Sequence, residues 1–511
     1  GGNAFDAAVA ISAALAVAEP YSSGLGGGGF YLLRKAGDKP DYRFIDARER
    51  APMAANIDLY RRDGKVQPEL SLNGALAAAI PGLPAALVHL AEKYGRLPLR
   101  DSLAPAIRLA RDGVSYDRVY LERAGWRLAA MRDDPETARI FLDRGNLPPQ
   151  LGLLRQPDLA LTLERLARDG KAGFYSGETA QLLVNGVRNA GGIWTLGDLA
   201  NYKVVERQPI HVILNDGRHL ISAPAPSAGG IAIAQSLGML QQLPWREADP
   251  VQRTHFVVEA LRRAYHDRSL LGDPDFIKNP VRELLDPVYL HTLTQSIDPK
   301  RATPSSSLPP AGKLHEGNHT THFSVLDAEG NAVAATLSIN LPFGAAFTPK
   351  GSGVLLNDEM DDFAADVQGS NAYGLTGSSA NAIAAGKRPL SSMSPTFIES
   401  PGEFASFGTP GGSRIPSMVL LSVLQYLDGQ PIERWPSVAR YHHQYLPDVI
   451  EHEPSTFSPA QISALQARGY QLKALTRQYG NQQVLYWNKT DHRVEAASDP
   501  RGVGTSAVGS K

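Results

Sequence analysis

A chain of 511 residues that is 43% hydrophobic and 20% charged can bury a large core. Its formal net charge of −1 leaves no basic footprint for nucleic acid and no acidic tail. Having no cysteine, it can form no disulfide, no thiolate metal site and no cysteine nucleophile, and no apolar run approaches the roughly 18–20 residues that span a bilayer.

The opening GGNAFDAAVA stands in mid-element, with no initiator Met and no leader, so a trimmed start is expected. Residues 3–19 are Ala-rich and apolar on most faces, which predicts a buried helix stopped by Pro20. GLGGGG at 24–29 matches GxGxxG, but a helix precedes it and the strand FYLLRK follows. A dinucleotide fingerprint needs the opposite order, so this is a glycine turn for close backbone packing. YRFIDARERAP alternates like a strand and brings Arg48 just past its end. On local grounds Arg48 is a solvated charge, although an arginine is also the best two-point grip for a carboxylate.

From Gly74 to about Arg188 the pattern is mainly helical, with Pro starts and Gly stops. VVERQPIHVILNDGRHLIS predicts a strand pair, followed by the loop APAPSAGG and a helix from about Ile231. HFVVEALRRAYHDRSLL is a further helix ending at Gly272. Nothing repeats at a fixed period, and the Pro/Ser-rich passage before Thr320 is the one clear linker.

GNHTTHFSVLD at 317–327 is the stretch around which the rest is organised. THFSVLD and AVAATLSI predict a hairpin across the turn AEGN, so a loose loop runs into a strand whose first residue is Thr320. Taken alone, TTH is an ordinary strand start. If the bond before Thr320 is cut, however, the threonine carries both an α-amine, titrating at about pH 7.7–8.0, and a hydroxyl, so nucleophile and base share one residue. The hairpin returns Ser338 and Asn340 toward it on a common face.

Beyond the hairpin, NDEMDDF groups Asp358, Glu359, Asp361 and Asp362; it reads locally as a solvated or metal-binding loop, but lacks EF-hand spacing. Residues 364–386 are rich in Gly, Ser, Asn and Ala and suit a mobile cover, with Tyr373 its one aromatic. KRPLSSMSP puts Ser391 and Ser392 before an apolar strand. GTPGGSR runs from strand through a glycine turn into a helix, where the N–H groups of Gly411 and Gly412 can hold an anion or simply reverse the chain. His442 and His443 lack partners at metal-ligand spacing.

Taken in order, GGNAFDAAVA, GLGGGGF, DARERAP, APAPSAGG, GDPDF, GNHTTHFSV, NDEMDDF, KRPLSSMSP, GTPGGSR and HHQ resemble the γ-glutamyltransferase family of N-terminal-nucleophile hydrolases, along essentially the whole chain. The resemblance implies an α+β fold, a four-layer αββα sandwich. It implies a precursor that cuts itself between His319 and Thr320 into a large portion, 1–319, and a small one, 320–511, which remain together as a heterodimer. Thr320 is then the nucleophile that takes a γ-glutamyl group from glutathione and passes it to water or to an amino acid or dipeptide. Ser338 stands where the family has a supporting threonine. Arg48, Ser391 and Ser392 match the α-carboxylate site; Asn340, Glu359 and Asp362 match the α-amino site. Gly411 and Gly412 match the oxyanion hole, and Tyr373 matches a lid aromatic. No cofactor or metal is implied, and the expected location is periplasmic or secreted.

Two alternatives stay open at this point. One is a glutaryl or poly-γ-glutamate acylase of the same superfamily. The other is an uncleaved, non-catalytic protein that binds amino acids or peptides.

Overall fold

Asn3 caps the first helix through a capping box with Asp6, and the helix runs over Ala4–Ala18 before Pro20 stops it, as the sequence predicts. The computed structural model describes residues 1–309, 320–364 and 378–509.

Eleven strands in chain order build the two large sheets: β1 (Gly28–Lys35), β2 (Asp41–Ala47), β3 (Val205–Arg207), β4 (Ile210–Ile213), β5 (His219–Ser222), β6 (Thr320–Leu326), β7 (Ala332–Ser338), β8 (Thr396–Glu399), β9 (Glu403–Gly408), β10 (Gln483–Asn488) and β11 (Arg493–Ser498). One sheet has the order β6-β7-β1-β2-β3, the other β11-β10-β9-β8-β5-β4, and neighbours in both are antiparallel. The segment expected as a strand pair holds three strands: β4 and β5 form the pair, while β3 at its start joins the other sheet.

Alternation along the strands sorts the layers. Tyr31, Leu33, Ile45, Val333 and Leu337 face a core shared with α1 (Ala4–Ala18), α2 (Leu83–Lys93), α3 (Leu99–Asp112) and, after α4 (Arg118–Asp133), α5 (Pro157–Asp169). Phe30, Leu32, Phe44 and Ala334 face the other way, into a core with Phe397 and Phe404 of the second sheet, while Phe407 points to the outer side against Tyr426 and Trp435. That core continues into α6 (Gly229–Leu240), α7 (Pro250–Asp267) and α8 (Ile415–Leu427). The layers are helices, sheet, sheet, helices: an αββα sandwich.

The glycine turn at 24–29 is structural, as its context predicts. A Cβ on Gly26 would lie 2.0 Å from the Leu355 carbonyl oxygen, and one on Gly27 would lie 2.2 Å from that of Ser338. Only glycine lets the backbone pass that close to the end of β7.

Candidate active site

The register of the first sheet puts Thr320 opposite Ser338, and Ser338 opposite Gly28. Gly29 faces Ala47, the last residue of β2, so Arg48 leaves the sheet at the same end. The second sheet contributes from that end too. The ring of His322, two residues beyond Thr320, lies so near Gly408 that a Cβ there would approach it to 2.0 Å, and the turn carrying Gly411 and Gly412 follows β9 directly.

Thr320 and Ser338 are both buried, and the Thr320 hydroxyl donates to Ser338 Oγ at 3.4 Å. Ser338 Oγ also accepts the Asn340 N–H at 2.9 Å. The Ser338 oxygen therefore orients the threonine hydroxyl. Asn340 sits at φ 73°, with its side chain donating to the Asp358 carbonyl oxygen at 3.1 Å. Thr320 and Gly411 line one cavity of about 470 Å³. Gly411 (φ 142°) and Gly412 (φ 57°) adopt backbone that favours glycine, and a Cβ on Gly411 would meet Met418 at 2.4 Å. Among the described residues, Gly412 is not part of that cavity wall.

Arg48 corrects its local reading as a solvated charge, because it is 1% exposed. Its Nη1 donates to Glu359 at 2.7 Å, its Nη2 to Asp362 at 2.5 Å, and its Nε to the Pro389 carbonyl at 3.1 Å. The acidic loop is likewise neither solvated nor gathered for a metal: Asp358, Glu359 and Asp362 are buried, and no metal-holding cluster occurs among the described residues. The sequence put Arg48 and the two carboxylates at opposite ends of one ligand; here they are paired with each other.

Ser391 and Ser392 follow the two carbonyls, of Pro389 and Leu390, that Arg48 grips. Ser391 is pinned by a bridge to Ser227, and its hydroxyl accepts the Met393 N–H. Ser392 Oγ accepts from Arg268 at 3.1 Å. His319 and Tyr373 lie outside the described residues.

Two charged groups escaped the sequence reading. Glu49 is fully buried 3.5 Å from Arg48, and burial pushes its carboxyl up to about 7. Burial pushes Glu359 well up as well. Arg268 is buried and lowered to about 10, chiefly by loss of solvent. Glu49 sits beside Arg48 in DARERAP and could have been found there; Arg268 lies in a helix tail whose pattern carries no such signal. The result is a buried cluster of three carboxylates, Glu49, Glu359 and Asp362, around Arg48, with Arg268 on its serine side. Such a cluster can hold a zwitterion by exchanging internal partners for the ligand's own charges.

His442 and His443 are buried and hydrogen-bonded, to Ser417 and Gln444 and to Asp448 respectively.

A profile of the γ-glutamyltranspeptidase family matches residues 1–509. The chain belongs to that family. A glutathione hydrolase proenzyme of Escherichia coli (strain K12) is 40% identical over 521 aligned residues, covering 100% of this chain and 88% of that protein. One from Pseudomonas sp. (strain A14) is 41% identical over 478 residues, covering 92% of this chain and 82% of that protein. The solved γ-glutamyltranspeptidase of Helicobacter pylori superposes with a TM-score of 0.59 at 35% identity, over 62% of this chain and 92% of that one. A cephalosporin acylase from Bacillus halodurans superposes more completely, with a TM-score of 0.88 over 100% of this chain and 92% of the other; at 24% identity it speaks for the fold alone. Of the motifs named from the sequence, GLGGGGF, DARERAP and GTPGGSR adjoin the end of the sheets where Thr320 stands, while GGNAFDAAVA begins at the other end of the hairpin, beside Asp327.

Proposed function

We propose that this γ-glutamyltranspeptidase takes the γ-glutamyl group of glutathione and related amides as an ester on Thr320, after the chain has cut itself between His319 and Thr320. The freed α-amine accepts the proton of the Thr320 hydroxyl as its oxygen attacks the γ-carbonyl carbon. The N–H groups at Gly411 and Gly412 receive the negative oxygen. The proton passes to the leaving nitrogen as the C–N bond breaks. Water or an amino acid or dipeptide then attacks the ester. Portions 1–319 and 320–511 stay together, and the enzyme works in the periplasm or outside the cell; no helix among the described residues is long and apolar enough to cross a membrane.

The observation that carries this reading is the surplus of buried carboxylates around Arg48. Glu359, Asp362 and Glu49 are ion-paired with Arg48, and a glutaryl chain, which has a terminal carboxylate but no amine, would take Arg48 from them and offer no cation in exchange. A γ-glutamyl group brings an ammonium for them and a carboxylate for Arg48. Hydrolysis of a γ-glutamyl anilide is therefore expected to exceed that of the glutaryl anilide by at least about a hundredfold in kcat/KM, the scale of losing one buried charge contact. Preference for the glutaryl compound would replace this function with that of an acylase.

A further inference from the structure

The cavity that reaches Thr320 and Gly411 continues to a wall of arginines at the start of α4 and in the 475–481 loop. Five arginines line it, and two are already neutralised by carboxylates outside it: Arg414 by Glu451, and Arg501 by Glu453 and Asp499. The other three are undercompensated. Arg118 and Arg477 share one carboxylate, lying 3.4 and 3.5 Å from the two oxygens of Glu122. For Arg123, no described carboxylate lies within ion-pair distance. Its guanidinium stacks at 4.2 Å on Trp126, which Arg477 also covers at 4.0 Å. Partial burial lowers the pKa of Arg123, as expected of a cation waiting for an anion. None of the residues of the Arg48 cluster lines this cavity.

We infer that Arg123, flanked by Arg477 and Arg118, is the subsite for the C-terminal carboxylate of the peptide joined to the γ-glutamyl group, and for that of the peptide acceptor that replaces it. The inference rests on the reading of Thr320 given above. Glutathione bears two carboxylates, one at each end. The γ-glutamyl end goes to Arg48, leaving the glycine carboxylate on the far side of the scissile amide, where the cavity runs from Thr320 to Arg123. The indole packs against both guanidiniums, so part of their side-chain freedom is already lost before a carboxylate arrives. Donors and acceptors ending in a free carboxylate are favoured over their neutral counterparts.

The test compares glutathione with its C-terminal amide in the wild-type enzyme and in Arg123→Gln. The wild type is expected to prefer the acid by about tenfold in kcat/KM, the scale of one partly buried ion contact. In Arg123→Gln the preference should fall toward one, and Arg123→Lys should keep part of it. Because the readout is a ratio within one protein, a general loss of activity does not mimic it. No preference in the wild type, or one that survives Arg123→Gln intact, overturns the subsite. If the mature wild type turns over neither compound, the Thr320 reading itself fails, which the glutathione arm reports separately.

Discussion

Arg48 makes four hydrogen bonds through its guanidinium, two to carboxylates and two to the backbone carbonyls of Pro389 and Leu390. A lysine can supply charge but not this fork, so Arg48→Lys is expected to raise KM for a γ-glutamyl donor at least about tenfold. An unchanged KM would remove Arg48 from substrate binding. Glu49 offers a second check. Its carboxyl is raised from 4.5 to about 7 by burial, so the folded state holds a proton that the unfolded chain has released. The stability this contributes is complete below about pH 4.5 and is lost as pH rises through about 7. Glu49→Gln keeps the neutral form at every pH, so its melting temperature should gain on the wild type by about 1–3 °C between pH 5 and pH 8. Parallel melting curves would contradict this. Local composition could not predict either residue's burial, because a charge at a strand end is normally solvated; Arg48 is enclosed by segments more than 300 positions away, such as 359–362 and 389–390.

At the scale of the element, the hairpin β6–β7 decides where the chemistry stands. The hairpin itself was legible, with the partner of Thr320 expected around Ser338 to Asn340; the exact register, Thr320 opposite Ser338, was not, because it depends on how many residues the turn takes up, here 327–331. The junction between the sheets was not legible. Gly408 ends β9 against His322, whose ring is held by Thr336 Oγ1 at 2.8 Å and Ser324 Oγ at 3.3 Å and cannot give way cheaply. Gly408→Ala is expected to destabilise by about 1–3 kcal/mol, seen as a lowered thermal midpoint. An unchanged midpoint would show that β6 and β9 have room to separate. Contacts of this kind join strands more than 80 positions apart, so a pattern read along the chain cannot show them.

Across the whole molecule, the two portions on either side of Thr320 are woven into both sheets. β7 pairs onto β1 in one sheet, with β6 on its outer edge, and β8 pairs onto β5 in the other. Breaking the chain before Thr320 removes one peptide bond and leaves these ladders in place, which is why the pieces stay together in the proposed heterodimer. The four layers followed from the sequence through its family resemblance. The arginine wall beside Thr320 did not, because it assembles from a helix start and a loop more than 350 positions away.

The claim on which the rest depends is that Thr320 needs a free α-amine to act. The direct measurement follows γ-glutamyl anilide turnover and intact mass together while freshly made precursor matures. Turnover should start from zero and rise in proportion to the fraction cut at 319–320, with Thr320→Ala remaining whole and inactive. Full activity in material still joined before Thr320 would contradict the account.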